Sequence, residues 1–450
     1  MNKPFLQRAR TEAETALIDR FDQGDRLLVG ATDLRAEAMR RFAEAGLPNR
    51  RVEAWHYTDL RSVMRTAALV RAPEAATLPM ARECLKKPIA QTDAFRFVIF
   101  NGAYSEELSS TGPLPAGVTA VSLSAALASG DSDVLDALKA ETPGVGDAVV
   151  ALNTALMQDG VVIRVAPGAQ VDRPLAILNI MSGGFAQATF LRSILIVGAG
   201  ASVMLDEATG VSAPDATQAN EALTVIVGDS ARVHYAAQVA EQHEKAVALH
   251  SLFVIMGAKA EFNGFCLTPC AGLVRRQIFA RLNGEHSTLS LGGLSLLRGK
   301  EHADTTLVVD HAVPNCVSRE FFRHILDDEA TGVFQGKIVV RQHAQKTDGG
   351  MKSQALVLGE EASMNNKPEL EIFADDVVCG HGATVGQLDQ NQIFYLRARG
   401  LSRGEAESLL LEAFANEALD LVADEAVRAR FKMQSDAWLA ARHGAAGSAA

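Results

Sequence analysis

The sequence is poor in cysteine, with five in 450 residues: Cys84, Cys266, Cys270, Cys316 and Cys379. An odd, small set suits free thiols in a reducing compartment rather than a disulfide framework. It has no basic cluster longer than Arg50–Arg51 or Lys86–Lys87, and its net charge is −11. A nucleic-acid binder needs a positive surface for phosphates, so that class is excluded. No apolar run approaches the ~18 residues of a membrane span. The first 20 residues carry Arg8, Arg10, Glu12 and Glu14 where a secretory signal has its apolar centre. A cytoplasmic protein without membrane segments is expected. Nucleotide motifs are missing too. Gly332-Val-Phe-Gln-Gly336-Lys337-Ile338 is too short between its glycines for a phosphate loop and lacks the Ser/Thr after lysine. There is no Gly-x-Ser-x-Gly elbow and no strand-linked Gly-x-Gly-x-x-Gly. The chain is not expected to hydrolyse ATP.

What is present begins with helices. Hydrophobic residues make up 48% of the chain, enough for a sizeable core. Apolar residues at helical spacing predict helices over Phe5–Phe21 and Asp33–Ala45, separated by Gly30. Glu53 to Leu60 holds one of two tryptophans, Trp55, and one of four tyrosines, Tyr57. It reads as an aromatic cluster packing the N-terminal helices.

From Phe95 the pattern changes to short β-rich runs, and long helical patterns are scarce until Gln392. A loose repeat runs through this region. Ile163 to Val171 resembles Leu195–Val203, Val225–Val233, Val254–Phe262 and Leu356–Met364. Its glycines Gly168, Gly198, Gly228 and Gly257 recur roughly every 30 residues, a spacing typical of stacked units. Each unit reads as strand, glycine turn, small residue and strand, which buries its face only against its neighbours. The near-constant spacing favours a β-solenoid over a β-sandwich. Ala169, Ala201, Ala231, Ala260 and Ala362 then fall where stacked turns approach each other. After Gly386 helices return: Asn391–Arg399, broken by Gly400, then Ala406–Asp424 behind the capping pattern Ser402-Arg-Gly-Glu405, then Ala426–Ala441 and a small-residue tail. Leu409, Leu410, Phe414, Leu419 and Leu421 form a broad apolar face. These helices either cap the solenoid or offer a docking surface. The expected organisation is a helical N-terminal domain (1–94), a β-helix core (95–390) and a helical C-terminal domain (391–450).

The chemistry-bearing segment is Ile372 to Gly386. Cys379 and His381 are two apart, so on a strand they share a face. Thiolate and imidazole ligate iron, zinc and copper, and Fe–S clusters accept either. One of each is half a metal site or, equally, a buried structural pair. Cys266-Leu-Thr-Pro-Cys270 lacks a second ligand pair at finger spacing and reads as core. Cys316 lies among His302, His311 and His324 without regular metal spacing.

Lys367-Pro-Glu-Leu-Glu371-Ile-Phe-Ala-Asp375-Asp376-Val-Val-Cys379-Gly-His381-Gly-Ala-Thr-Val-Gly-Gln-Leu388-Asp389, followed by Phe394-Tyr395-Leu396-Arg397-Ala-Arg399-Gly400, strongly resembles the SufB/SufD family. Leu47-Pro48 with Glu53–Leu60, Asp310–Arg319 and Gly332–Asp348 agree. The N-terminal block and the Cys-Gly-His-Gly-Ala form look like the SufD branch. The resemblance implies a mainly β fold, a right-handed parallel β-helix flanked by α-helical domains. It implies a non-catalytic scaffold in iron–sulfur cluster assembly that pairs with SufB through the β-helix ends. It also implies a SufC ATPase docked on the C-terminal helices, with Leu409, Leu410 and Phe414 as candidate contacts. A transient Fe–S cluster or iron is then expected at the SufB–SufD interface, with His381 the first contribution from this chain and Cys379 the second, and a flavin in the assembled complex is left open. The rival readings are a β-solenoid carbohydrate-active enzyme, whose only adjacent aspartate pairs here are Asp327-Asp328 and Asp375-Asp376, and a purely structural partner protein.

Overall fold

The computed structural model describes residues 9–24, 28–87, 93–140, 142–144, 146–183, 186–211, 216–240, 243–269 and 272–447. Consecutive strands fall alternately into two sheets, as a solenoid requires. The first sheet runs Phe95–Phe100, Leu175–Met181, Ser202–Val211, Arg232–Ala240, Glu261–Thr268, Thr288–Leu297, Val317–Leu326, Asp348–Val357 and Val378–Gly386, with Ala103–Ser105 added antiparallel to Phe95–Phe100. The second runs Val161–Val165, Ala188–Val197, Gln218–Val227, Val247–Met256, Leu273–Leu282, His302–His311, Thr331–Val340 and Ser363–Ile372, with Val118–Ser122 antiparallel to Val161–Val165. The other strand pairs within the sheets are parallel and in register. The β-solenoid expected from the repeat is therefore present, with helices at both chain ends.

In-register stacking puts like residues in rows. Leu195, Val225, Val254, Ala280, Val309 and Ile338 form one inward row of the second sheet, all essentially inaccessible. Burying each such side chain stabilises by roughly 1.5–3 kcal/mol, and the rows together make the main core. Ala201, Ala231 and Ala260 are buried in it; Ala169 and Ala362, at the two ends, are partly buried. The repeated glycine serves close approach more than turn geometry. A Cβ at Gly198 would lie 2.5 Å from Pro167 N and one at Gly359 2.4 Å from Asp328 O, in the turn of the preceding coil. Gly284, outside the repeat as read from sequence, is the tightest of these turns: its Cβ would lie 1.9 Å from Ala258 N.

Helices cover both outer faces. On the second sheet lie Glu12–Asp22, Thr32–Ala45 and Ala148–Leu156, sharing a core with Phe190, Val247, Leu249 and Leu273. The first helix starts later than the apolar pattern suggests because Thr11 and Glu14 close a capping box there; residues 1–8 lie outside the described set. Short helices Leu123–Ala128, Ser132–Lys139 and Ala148–Leu156 interrupt the β region, too brief to register as long periodic patterns. Trp55 does more than pack helices. Its indole N–H donates to Asp147 (2.8 Å), and the Arg275 guanidinium lies 3.8 Å over its ring. Arg275 also pairs with Asp304 and donates to Ala54 O (2.6 Å).

The C-terminal helices Gln390–Arg397, Arg403–Leu419 and Glu425–Gly447 begin and end close to expectation, with Gly400 at φ +97° and the Ser402–Glu405 capping box formed. The last runs beyond Ala441 to Gly447. They pack on the outer face of the first sheet, where Leu411, Ala415, Phe431 and Trp438 meet Phe265, Leu294 and Ile325. Arg430 grips Asp206 of that face through two hydrogen bonds of 2.6 and 2.7 Å, both side chains buried.

Two stability outcomes follow. Gly284→Ala should destabilise by at least about 2 kcal/mol, because the neighbouring backbone cannot move aside, while Gly386→Ala, with open space around it, should cost far less; paired thermal melts measure the difference. Asp206→Ala removes the buried carboxylate that Arg430 grips and should cost about 3–5 kcal/mol, seen as faster proteolysis of the C-terminal helices.

Candidate functional site at the open end of the solenoid

The two ends of the solenoid differ. At the early end both sheets finish in antiparallel strands, Ala103–Ser105 and Val118–Ser122. At the late end the parallel strands Ser363–Ile372 and Val378–Gly386 simply stop, each with one edge unpaired by any described strand. Long, uncovered edges invite pairing with another chain. Large apolar side chains stay exposed there: Phe373 60%, Val378 73% and Val385 51%. The C-terminal helices, lying on the sheet face, pack elsewhere.

Cys379 and His381 sit on that last strand. Register pairs Cys379 with Gly349 and His381 with Met351. Met351 is buried in the core, so both residues share the inward face, as their two-residue spacing predicts. No further coil covers them: His381 is exposed, and Cys379 is half-buried against the core edge. Desolvation pushes the Cys379 thiol above its ordinary value; Asp348 and Glu320 add to this, while the Gly349 backbone and Arg319 oppose it. The thiol is therefore protonated at neutral pH, and ligation there releases a proton.

Behind this pair the same inward row continues from His381 through Met351 to Glu320. Glu320 is buried and pushed up to about 8, mainly by burial, so it carries a proton at neutral pH. Arg319 donates to Asp348 (2.6 Å) at the rim. Arg319, Phe321, Lys352 and His381 line a shallow depression of about 490 Å³. Gly380 and Gly382 face open space, so a bulky partner group meets no side chain there.

The pair does not complete a metal site. Among the described residues the group of three converging ligand side chains is Glu207, Glu221 and His250, deep in the interior, and sequence spacing gave no sign of it. It arises because Glu221 and His250 are row neighbours and Glu207 faces them from the other sheet.

The other sequence candidates resolve separately. Cys266 is buried, its thiol pushed up by burial. Cys270 lies outside the described residues. Cys316 is sealed at a turn, its Sγ 3.4 Å from Gly284 O and from Pro314 O. His302 reaches Thr58 (3.0 Å), and burial lowers both His311 and His324 to about 4, leaving them neutral. Gly332–Ile338 lies within a strand. Asp327 pairs with Arg442 and Asp376 with Lys346. Of the C-terminal candidates, Leu409 and Leu410 line an apolar groove with Tyr395 and Leu396, whereas Phe414 turns toward the sheet under Arg323 (4.2 Å). The structure also joins two segments far apart in sequence: Lys367 donates to Glu53 at 3.0 Å.

Comparisons with known proteins bear on this arrangement. Residues 179–414 match the SufBD core domain of the SUF system for FeS cluster assembly, and residues 13–177 match the SufBD N-terminal region. The iron–sulfur cluster assembly protein SufD of Escherichia coli is 31% identical over 400 residues, 87% of this chain and 89% of that protein. A SufBD family protein of Synechocystis is 29% identical over 399 residues, 86% of each. A solenoid with an open coil end, flanking helices and these matches over nearly its whole length identify the chain as a member of the SufBD family of iron–sulfur cluster assembly proteins, of the SufD type.

Proposed function

We propose that the chain is a non-catalytic scaffold subunit that pairs, through its open coil end, with a SufB-type partner in the cytoplasm. The observation that carries this is the uncovered last coil: two edges unpaired by any described strand, exposed Phe373, Val378 and Val385, and an inward Cys/His pair on which no third ligand atom converges among the described residues. A second solenoid stacked there continues both ladders and buries the apolar end. It also brings its own donors to His381 and Cys379, so an iron or nascent Fe–S cluster, the cargo of assembly, is held between the two chains. His381 is the first ligand because it is exposed at the coil end; Cys379 follows once its proton leaves. An ATPase of the SufC type docks on the C-terminal helices, where Leu409 and Leu410 offer the apolar groove. Its hydrolysis cycle supplies the movement that opens the interface to iron.

His381→Ala should leave circular dichroism and melting unchanged, because the side chain is exposed, yet lower anaerobic cluster yield in the co-purified complex by about tenfold or more. Unchanged yield removes His381 from the ligand set. Val378→Asp with Val385→Asp should abolish co-purification of the partner while the isolated chain stays folded. Iron affinity that depends on Cys379 should rise with pH from neutrality toward the elevated thiol value, and that slope should disappear in Cys379→Ser.

A further inference from the structure

Arg192 is buried with no carboxylate partner among the described residues, and unlike Arg35, which donates to the Ala155 and Leu28 carbonyls, it keeps two unpartnered donor nitrogens. Arg192 is 4% exposed and lies on the outer face of the second sheet, beneath the N-terminal layer. Its Nη2 donates to Thr224 Oγ1 (3.1 Å), and its guanidinium sits 4.8 Å from the Phe253 ring centre. Nε and Nη1 are buried and have no hydrogen-bond partner among the described residues. Desolvation lowers its pKa to about 10, and no carboxylate opposes that shift. An uncompensated buried charge is destabilising, so an anion bound here would relieve it.

The guanidinium forms the floor of a cavity of about 250 Å³, set between the helices Thr32–Ala45, Ser132–Lys139 and Ala148–Leu156. The walls are largely apolar, with Leu34, Leu138, Val150 and Phe253. Thr142 Oγ1, also buried and without a partner, lines it as well. At the mouth are Lys139 and Arg41. Among the described lining residues the one carboxylate is Glu37, which Arg40 and Arg41 hold. Among the described lining residues three cations, one of them the Arg41 that pairs with Glu37, stand against one carboxylate, a local excess of positive charge in a chain of net charge −11.

We propose that this cavity binds a small organic monoanion, a carboxylate or sulfonate on a flat apolar body, with Arg192 pairing the anionic group and Phe253 lying against the body. A single floor cation matches one negative charge, and Nη1, an unpartnered donor among the described residues, is available to an anionic oxygen. The volume lies just below the usual range of roughly 300–1,000 Å³ for small-molecule sites, which limits the body to about two rings.

The test uses two fluorescent probes of similar shape on the full-length chain: anionic 8-anilinonaphthalene-1-sulfonate and neutral N-phenyl-1-naphthylamine. The wild-type chain should prefer the anion. Arg192→Met keeps the apolar bulk and removes the charge. It should lower affinity for the anionic probe at least tenfold, leave the neutral probe within about twofold, and melt no lower than wild type. An unchanged ratio of the two affinities in Arg192→Met overturns the proposal, because the anion is then bound elsewhere. Should Arg192→Met fail to fold, Arg192→Lys decides: a retained but weakened preference for the anion supports the site, and an undiminished one rejects it.

Discussion

Everything in this molecule depends on parallel strands stacked in register. Because each residue sits directly over its counterpart one coil earlier, inward rows stay apolar along the axis and the interior needs no helix to fill it. The same rule sets the cost of close turns, so glycines recur where one coil's turn rests on the last. It also means that the structure has no internal reason to stop. A solenoid ends only where something other than another coil covers its edge. The early end is closed by antiparallel strands and the late end is left open. The functional reading follows from that asymmetry, since the residues with useful chemistry lie on the one coil that lacks a successor.

The helical layers are fastened to the sheet faces by buried polar contacts as well as by apolar packing. On one face Arg275 joins Asp304, the Ala54 carbonyl and the Trp55 ring. On the other Arg430 joins Asp206. Such pairs gain little over apolar packing but penalise any other placement, because a misplaced helix leaves a buried charge unpaired. The Glu53–Lys367 contact extends this logic to the open end: the N-terminal segment reaches the next-to-last strand and steadies it. That contact is exposed, so it orients more than it stabilises.

How much was legible in advance depended on whether a feature is local or arises from stacking. The solenoid could be read because a strand–glycine–alanine unit repeats at fixed spacing. The C-terminal helices could be read because Gly400 and the Ser402–Glu405 box are local signals. The shared face of Cys379 and His381 followed from strand periodicity. Three things could not be read. The true start of the first helix was set by Thr11, whose cap outweighs the apolar spacing upstream. Trp55 looked like filler for a helical layer, yet its partners Asp147 and Arg275 are 92 and 220 residues away. Buried polar groups such as Arg192, Glu221 and His250 carry no pattern in sequence, because row neighbours are defined by coil length and their opposing residues by the width of the solenoid.

The interior trio of Glu207, Glu221 and His250 shows why convergence alone does not make a cargo site. Its ligand atoms lie close together, but the chain already provides for them. His250 and Tyr235 contact Glu207 at 2.9 and 2.6 Å and outweigh the burial that pushes its carboxyl up, so it stays ionised. Burial raises the Glu221 carboxyl above its ordinary range despite hydrogen bonds from Asn179 and Thr209. Arg276 is among the groups acting on Glu207, and the knot is sealed from solvent. The pair at the open end has the opposite properties. Too few donors converge to hold a cluster permanently, one donor is exposed, and the other carries a proton it can give up. A group that must be received and passed on is better served by ligands divided between two chains, because separating the chains then removes half of its coordination at once.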